Sequence, residues 1–384
     1  CGIIAAASSR NVGKLLVQGL HKMEYRGYDS AGIALHQENS IAHLRAIGKV
    51  QLLEDMMISE KPKSKLGIAH TRWATHGEPS EVNAHPHKSK DKVYIVHNGI
   101  IENYIELKEA LVKDGYEFSS QTDSELIAHL LDSYLEKGNS MIDAMYLTKE
   151  KLEGAYAIAA IDMDNNNSLV VARNKSPLLL GIGTDEMLAA SDPLAIGQLT
   201  NEFVFLEDGD VAEISAESYK IFNENKKEVE REISNIDISS QATSKGVYKH
   251  FMEKEIYEQP EAILNTLDGR VGGDDILDNI FGLGSSKLFT KVKRIQIVAC
   301  GTSLHAGRVA ANWLSSIAEL PCQIDYASEY RYRNQHVDEN SLLITISQSG
   351  ETADTLAALT YAKDKGYFGS VSLCTVPTRS LPPD

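Results

Sequence analysis

The chain of 384 residues is too long for one average domain, so its length predicts two or three domains. Hydrophobic residues make up 42% and charged residues 24% of it, as is typical of a globular protein, and the net charge of -16 disfavours nucleic acid or an anionic membrane surface as the main partner. Because we find no apolar run near the ~20 residues of a membrane helix, no signal peptide and no C-x-x-C pair, we expect a cytoplasmic protein without membrane attachment, zinc site or disulfide framework.

The first residue is the strongest chemical signal. Cys1 stands where an initiator Met would be, so we expect that Met to have been removed, which leaves a free α-amine on the residue that carries the thiol. In general, α-amines have pKa values of about 7.7–8.0 and thiols about 8.5, so one residue can hold both a nucleophile and its general base, as in N-terminal-nucleophile enzymes. The alternative is a trimmed chain end with an inert core thiol, and Cys1 alone leaves both open.

The first half alternates short strand candidates with amphipathic helices. Apolar or alternating runs bounded by turn residues predict strands at 2–7, 32–36, 41–47, 66–70, 93–97, 156–162 and 168–173. Helical patterns occur at 12–23, 103–114 and 125–135. A capping-box signature at 122–125 precedes the last helix. Many strands with helices outside them predict an α/β fold, a two-sheet α/β/β/α sandwich, for a domain of 1–222.

The pattern changes after residue 222. The segment 223–249 is first highly charged and then Ser-rich without a period, which predicts a linker. A helical stretch at 250–267 follows. Apolar strands then begin βαβ units at 294–299 and 342–346, with a third strand at 370–375. Strands of this kind, each preceding a helix, predict a doubly wound parallel α/β sheet for a domain of 250–384.

Three groups in the first half meet the needs of a thiol nucleophile, which are oxyanion donors and a means of holding the substrate. Asn98 and Gly99 follow a predicted strand, where they form either an oxyanion hole or a plain Asn-Gly turn. Arg72 leaves another strand and is suited to bind a carboxylate through its guanidinium. Asp123 stands at a predicted helix start, where it either caps the helix or binds an ammonium group.

Two turns rich in small residues follow predicted strands in the second half. They are Gly301-Thr302-Ser303 and Ser347-Gln348-Ser349-Gly350-Glu351-Thr352. Neither is a Walker P-loop or a Gly-x-Gly-x-x-Gly fingerprint. Small residues, hydroxyls and a helix N-terminus favour an anion, although Ser and Thr are also ordinary helix caps. Because two such turns lie at the carboxyl ends of parallel strands, a phosphate site is favoured over caps alone.

Five segments of the first half are similar to the glutaminase domain of the glutamine–fructose-6-phosphate aminotransferases, a family also called glucosamine-6-phosphate synthases; they are 1–3, 24–32, 70–77, 83–86 and 97–99. The resemblance implies a class II glutamine amidotransferase domain of the N-terminal-nucleophile type. Cys1 would attack the γ-amide of glutamine while its α-amine relays the proton, with the oxyanion held by Asn98 and Gly99. Arg72 would bind the α-carboxylate of glutamine and Asp123 its α-ammonium. The other implied pocket residues, of which the first would gate ammonia transfer, are Trp73, Thr75, His76 and Gly77.

The second half is similar to the sugar-isomerase (SIS) module of the same family. The resemblance implies that the phosphosugar is bound by Thr302, Ser303, Ser347, Gln348, Ser349 and Thr352. The implied reaction joins ammonia from glutamine to fructose 6-phosphate, giving glucosamine 6-phosphate and glutamate, in a homodimer without a cofactor. His85 and His87 form a His-x-His pair, which without further ligands is too weak a signature, so we expect no metal.

The family has two SIS modules, and this sequence stops within the first, so we expect its synthase half to be incomplete. Two alternatives follow, a fragment with glutaminase activity alone and a silent sugar-phosphate sensor. A sensor has no use for a processed N-terminal Cys1. Amidotransferases of the phosphoribosyl-pyrophosphate or asparagine-forming type would need an acidic phosphoribosyl-pyrophosphate loop or a Ser-Gly-Gly-x-Asp-Ser loop, and we find neither in the sequence.

Overall fold

The structure divides into two compact units, residues 1–244 and 245–384. It is a computed structural model that describes residues 1–24, 27, 29–73, 78–236, 248–267, 271–272, 275–276, 289–334, 336–348, 350 and 352–374. The division falls within the segment predicted as a linker, and the predicted domain boundaries at 222 and 249 stay a prediction.

The first unit alternates strands and helices in its first two thirds and is almost entirely strands afterwards. Its elements through the last helix are β1 (Gly2–Ser8), α1 (Gly13–Met23), β2 (Ser30–Gln37), β3 (Ser40–Ile47), α2 (Val50–Glu60), β4 (Leu66–Arg72), β5 (His87–Ser89), β6 (Val93–Ile101), α3 (Tyr104–Lys113), α4 (Glu125–Leu135) and α5 (Met141–Lys149). The remaining strands, interrupted by a short 3₁₀ helix at Pro193–Ala195, are β7 (Gly154–Asp162), β8 (Ser168–Asn174), β9 (Leu179–Gly183), β10 (Glu186–Ala190), β11 (Glu202–Phe205), β12 (Val211–Ser215), β13 (Tyr219–Phe222), β14 (Glu228–Val229) and β15 (Ile233–Asn235).

Two stacked sheets form the core of the first unit. Within the described residues, eight strands pair in the order β15-β11-β9-β10-β1-β4-β2-β3 and seven in the order β14-β13-β12-β8-β7-β6-β5. Alternate residues of a strand face opposite sides, so Ile3 of β1 joins Val96 of β6 between the sheets, whereas Ile4 packs with Leu16 of α1 on the outer face. Helices α3 to α5 cover the outer face of the second sheet. This layering confirms the predicted α/β/β/α sandwich.

Helix α4 has the predicted bounds, but the predicted capping box is wrong. The N-cap residue is Ser124, whose side chain makes no capping hydrogen bond. The Glu125 carboxylate instead accepts hydrogen bonds from the N–H groups of Ser119 and Ser120, at 2.8 and 2.7 Å. Thr122 Oγ1 lies 3.0 Å from Nε2 of His87, the first residue of β5. Both side chains that would close the box are buried and find tertiary partners, so they do not cap the helix.

The first part of the predicted linker forms two edge strands of the first unit. Strand β14 pairs with β13 and strand β15 with β11, both antiparallel. Between them, Arg231 forms an ion pair with the buried Asp210 at 2.8 Å. Short, charged edge strands carry little hydrophobic alternation, which is why the sequence pattern did not reveal them. Residues 237–247 of the predicted linker lie outside the described residues.

The second unit contains a parallel sheet preceded by a long helix. Its elements are α6 (Phe251–Leu267), β16 (Val271–Gly272), β17 (Asp275–Ile276), β18 (Arg294–Ala299), α7 (Gly301–Ser316), β19 (Cys322–Tyr326), α8 (Ala327–Tyr330), β20 (Ser341–Ile346), α9 (Ala353–Lys363) and β21 (Gly369–Leu373). Among the residues described in this unit, four strands form one sheet in the order β19-β18-β20-β21, in which every pair is parallel. Strands β16 and β17 form a separate antiparallel pair.

Both faces of this parallel sheet are covered. Ile297 of β18 packs with Ala311 of α7 on one face, and the adjacent Val298 packs with Leu359 of α9 on the other. Helices on both faces of parallel strands confirm the predicted doubly wound sheet. In the described part of the chain, no helix has both the length and the apolar character needed to cross a membrane.

Candidate functional site

Cys1 lies directly before β1, next to the end of β4. Because Gly2 pairs with Thr71 in the first sheet, Cys1 stands beside Trp73. The Trp73 N–H donates a hydrogen bond to Cys1 Sγ at 3.3 Å, and the sulfur is 3.5 Å from the Trp73 carbonyl oxygen. Cys1 is partly exposed. The backbone of β4 therefore holds the thiol at a sheet end where a small molecule can reach it.

Asn98 and Gly99 lie inside β6 and do not follow it, so the alternative of a plain Asn-Gly turn is wrong. The strand continues to Ile101, and Gly99 pairs with Tyr156 of β7. Gly99 has a φ of +134°, and a Cβ at this position would lie 1.9 Å from the Ala155 carbonyl oxygen. Only glycine satisfies both conditions. The backbone of β6 approaches that of β7 very closely at Gly99. Glycine is therefore required for this close contact and not for a turn.

A hydrogen bond joins the two sheets at Asn98. His70 Nε2 of β4 and Asn98 Oδ1 of β6 are 2.9 Å apart, and both side chains are buried. Burial lowers the pKa of His70 well below its ordinary value, and the positive charge of the chain's α-amine lowers it further. Ile3 pairs with His70 in the first sheet, so Cys1 lies two residues along the chain from the partner of His70, and the hydrogen bond to Asn98 links this end of the first sheet to the second.

Arg72 and Asp123 bring opposite charges to the same region. Arg72 ends β4, and its buried side chain lies 3.5 Å from the Glu78 carbonyl oxygen through Nη1. Burial lowers the pKa of the Arg72 guanidinium, while the carboxylates of Asp29 and Asp123 raise it. An arginine stays charged under such shifts. A cation and an anion that interact electrostatically match the two charged groups of an α-amino acid.

Asp123 is held by the second sheet. Its Oδ2 accepts a hydrogen bond from the Ile101 N–H of β6 at 2.8 Å, and the Ser124 hydroxyl lies 3.5 Å from Oδ1. Ser124 Oγ is in turn 2.8 Å from His97 Nδ1. Asp123 precedes Ser124, the N-cap residue of α4, so the alternative that Asp123 caps this helix is wrong. The carboxylate is thus fixed at Ile101, two residues after Gly99 along β6.

The remaining predicted glutamine-pocket residues follow β4. The Trp73 side chain is 56% exposed. Thr75, His76 and Gly77 lie outside the described residues.

In the second unit, two loops leave the same edge of the parallel sheet. Ala299 at the end of β18 is in register with Ile346 at the end of β20. The described residues that follow each strand therefore meet at one edge; they are Thr302 and Ser303 in the first turn of α7, and Ser347, Gln348, Gly350 and Thr352 before α9. Neither helix has a side-chain cap at its N-cap residue, which is Cys300 in α7 and Thr352 in α9. The alternative, in which these hydroxyls are ordinary helix caps, is therefore not observed.

Ser347 organises the second loop. Its Oγ accepts a hydrogen bond from the Gly350 N–H at 3.1 Å and lies 3.0 Å from Thr352 Oγ1. Ser347 is buried, whereas Thr302 and Gln348 are exposed and Ser303 is partly so. Ser349 lies outside the described residues. The edge thus offers hydroxyls and helix N-termini, which suit a phosphate group.

His70 is the site residue that sequence reasoning missed. It is two positions before Arg72 on β4, and alternate residues of a strand face the same side. That spacing was the available signal, but Asn98 comes from a different sheet, so no local pattern could identify the contact. Over the described residues, no group of three or more His, Cys, Asp or Glu side chains is arranged to hold a metal ion.

Comparisons with known proteins identify both units. Residues 70–198 match the glutamine amidotransferase domain family, and residues 288–383 match the SIS domain family. Two solved structures share the fold. They are a glutamine phosphoribosylpyrophosphate amidotransferase from B. subtilis, with a TM-score of 0.52, and one titled as the allosteric regulatory enzyme of purine biosynthesis, with a TM-score of 0.53. Each is 18% identical to this chain and covers 98% of it, with 82% and 81% of the respective neighbour aligned.

The chain therefore joins a class II glutamine amidotransferase domain to a SIS domain. Curated proteins named glutamine–fructose-6-phosphate aminotransferase (isomerizing) align with 99% of it, at 49% identity in Vibrio parahaemolyticus, 48% in Shewanella oneidensis and 50% in Haemophilus ducreyi. These relatives are similar to the chain over nearly its whole length, which confirms the resemblance found in the sequence. It spans 62–63% of the length of these relatives.

Proposed function

We propose that this protein takes part in the glutamine-dependent synthesis of glucosamine 6-phosphate from fructose 6-phosphate, and that its first unit releases the ammonia. The observation that supports the proposal is the hydrogen bond between His70 and Asn98, which links the sheet that carries a thiol and a cation to the sheet that holds an amide and a carboxylate. Cys1 and Arg72 lie at one end of the first sheet. Asn98 belongs to the second sheet, and Asp123 accepts a hydrogen bond from that sheet. The whole reaction rests on similarity to relatives that are longer than this chain.

The α-amine of Cys1 accepts the thiol proton, and the sulfur attacks the γ-carbonyl carbon of glutamine. The oxygen of the tetrahedral intermediate becomes an anion, which the Asn98 amide N–H and the Gly99 N–H stabilise. The ammonium form of the α-amine returns its proton to the leaving nitrogen, and ammonia departs. Water then hydrolyses the thioester, with the amine again as base, to give glutamate and free Cys1.

Arg72 and Asp123 select an α-amino acid. The Arg72 guanidinium pairs with the α-carboxylate and Asp123 with the α-ammonium, which fixes the γ-amide over the thiol. Because the Ile101 N–H already holds Asp123 Oδ2, the carboxylate needs little reordering when the substrate binds. Thr75, His76 and Gly77 complete the pocket and Trp73 gates the ammonia, as the family resemblance implies.

The second unit binds the phosphate of fructose 6-phosphate in this proposal. The buried Ser347 and the hydroxyls of Thr302, Ser303 and Thr352 lie at one sheet edge, with Gln348 and Ser349 beside them in sequence. No cofactor or metal is needed for either step. A homodimer and a cytoplasmic location stay predictions from the family resemblance, and light scattering of the purified chain tests the first of them.

The test replaces Cys1 and follows glutamate release from glutamine, with and without fructose 6-phosphate. Cys1→Ala keeps the α-amine and removes the sulfur, so we expect glutamate release to fall by at least about 10³-fold. Cys322→Ala is the matched control, because Cys322 is a partly buried thiol in β19 of the second unit. A wild-type chain that releases no glutamate, or a Cys1→Ala variant as active as the control, would exclude the proposed glutaminase.

Product analysis separates the two alternatives. Glutamate without glucosamine 6-phosphate would identify a chain with glutaminase activity alone. Fructose 6-phosphate binding without glutamate release would identify a sugar-phosphate sensor. The fixed arrangement around Cys1 disfavours the sensor, because a binding module gains nothing from a thiol beside buried amide and carboxylate groups.

A further inference from the structure

The imidazole of His70 is buried, and the proposed mechanism assigns it no role. It contacts two groups, the Asn98 side chain and the ring of His85. Its Nε2 is 2.9 Å from Asn98 Oδ1. We propose that His70 is a positioning residue, which donates Nε2–H to Asn98 Oδ1 and so keeps the amide nitrogen of Asn98 directed at the developing oxyanion. This inference rests on the proposed glutaminase function.

The orientation of the Asn98 amide decides whether it helps or harms the reaction. An amide presents a donor at one end and an acceptor at the other. With Oδ1 bonded to His70, the NH₂ end is left for the substrate, and no protein acceptor for it occurs among the described residues. A flipped amide would direct an oxygen at a negative oxygen, which is repulsive. A donor at the fixed position of His70 Nε2 excludes that flip.

The environment keeps His70 in the form that this role requires. Burial lowers the pKa of His70, so the ring stays neutral near pH 7. In a neutral imidazole one nitrogen carries the proton, and the carbonyl oxygen of Asn98 selects Nε2 as that nitrogen. A base so buried and already bonded at Nε2 is poorly placed to accept a proton from Cys1. Its contribution is therefore to orientation and not to proton transfer.

A neighbouring ring fixes the plane of His70. The ring centroids of His70 and His85 are 4.1 Å apart, and those of His85 and His87 are 4.5 Å apart. Both ring nitrogens of His85 are buried without a hydrogen-bond partner in the described structure. His85 therefore packs against His70 without competing for its hydrogen bonds. This packing limits rotation of His70 and, through it, of Asn98.

The test compares three substitutions at His70 in the full chain, with glutamate release as the assay. His70→Leu removes the donor, and we expect kcat to fall by about 10²-fold with little change in KM, as for the loss of one oxyanion donor. His70→Gln places an amide N–H near the position of Nε2 and should restore most of kcat. His70→Asn is too short to reach Asn98 and should not. This pattern separates positioning from a merely structural role.

Two controls accompany these variants. The rate at which iodoacetamide alkylates Cys1 reports the state of the thiol and does not use the oxyanion hole, so it should stay unchanged in His70→Leu. His129→Leu removes another buried histidine, which bonds to Ser89 and lies on α4. We expect it to cost stability but not kcat. If His70→Leu does not fold, the comparison of His70→Gln with His70→Asn decides by itself.

Several results would overturn the inference. They are an unchanged kcat in His70→Leu, equal losses in His70→Gln and His70→Asn, and a fall in alkylation rate as large as the fall in kcat. These results differ from failure of the proposed function, in which the wild-type chain itself would release no glutamate.

Discussion

The two candidate sites of this protein are built in different ways. In the first unit, the groups around Cys1 are buried side chains from two sheets, each fixed by a hydrogen bond, as in His70 to Asn98 and Ile101 to Asp123. In the second unit, the groups are loop hydroxyls and helix N-termini at the edge of one sheet, and several are exposed. One site has its side chains held before the substrate arrives, and the other offers mainly backbone and hydroxyl donors.

The difference corresponds to the chemistry proposed for each site. Bond breaking at an amide needs donors at a fixed position, because their stabilising effect depends on pointing at the oxyanion. Binding a phosphate needs several donors around a charge, and the loss of one leaves the others in place. We therefore expect disturbances of the first unit to have large effects on folding and rate, and disturbances of the second site to have modest effects on affinity.

The largest expected effect is acid lability confined to the first unit. Burial is the main cause that lowers the folded-state pKa of six histidines of the first unit, which are His43, His70, His85, His87, His97 and His129. Unfolded histidines titrate near about 6.5, so the unfolded chain takes up protons first as the pH falls. Their contribution to the free energy of unfolding is fully present above about pH 6.5 and is lost as the pH falls below that value, by up to about 1.4 kcal/mol per pH unit for each group.

Hydrogen exchange measured by mass spectrometry between pH 7 and pH 5 checks this contrast. Peptides of β1, β4 and β6 should lose protection as the pH falls, and peptides of β18 and β20 should keep it. The described histidines of the second unit are exposed; they are His250, His305 and His336. His85→Leu should reduce the pH slope, because it removes one of these buried bases. Parallel loss of protection in both units would contradict the explanation.

The next effect concerns the backbone of the first site. Gly99→Ala should destabilise the chain by about 3 kcal/mol and abolish glutamate release, because Gly99 has a positive φ and its Cβ would meet the Ala155 carbonyl oxygen. Gly115→Ala is the matched control. Gly115 has a φ of +91° with nothing within 4 Å of a Cβ, so we expect a cost of about 1 kcal/mol and normal activity. Chemical denaturation and the glutamate assay measure both, and equal losses would refute the steric explanation.

The sequence predicted the parts of this fold that local pattern determines. The bounds of α4 and β18 were predicted to the residue, since an apolar period and clear ends mark them. The predicted capping box was wrong because Glu125 has tertiary partners that no local pattern reveals. Asn98 and Gly99 were singled out, yet their place inside β6 depends on the close approach of Ala155. His70 was missed as a site residue for the same reason, since its partner lies on another sheet.

The smallest expected effect tests the second site through Ser347. Ser347→Ala leaves the Gly350 N–H without its acceptor and removes the contact with Thr352, at a cost of about 1–2 kcal/mol. Calorimetric titration with fructose 6-phosphate should therefore show about tenfold weaker binding. Ser316→Ala is the matched control, because the Ser316 hydroxyl at the other end of α7 bonds only to the Asn312 carbonyl oxygen among the described residues. Equal affinities of the two variants would remove Ser347 from the phosphate site, whereas complete loss of binding would mean that this loop, like the site around Cys1, depends on one fixed side chain.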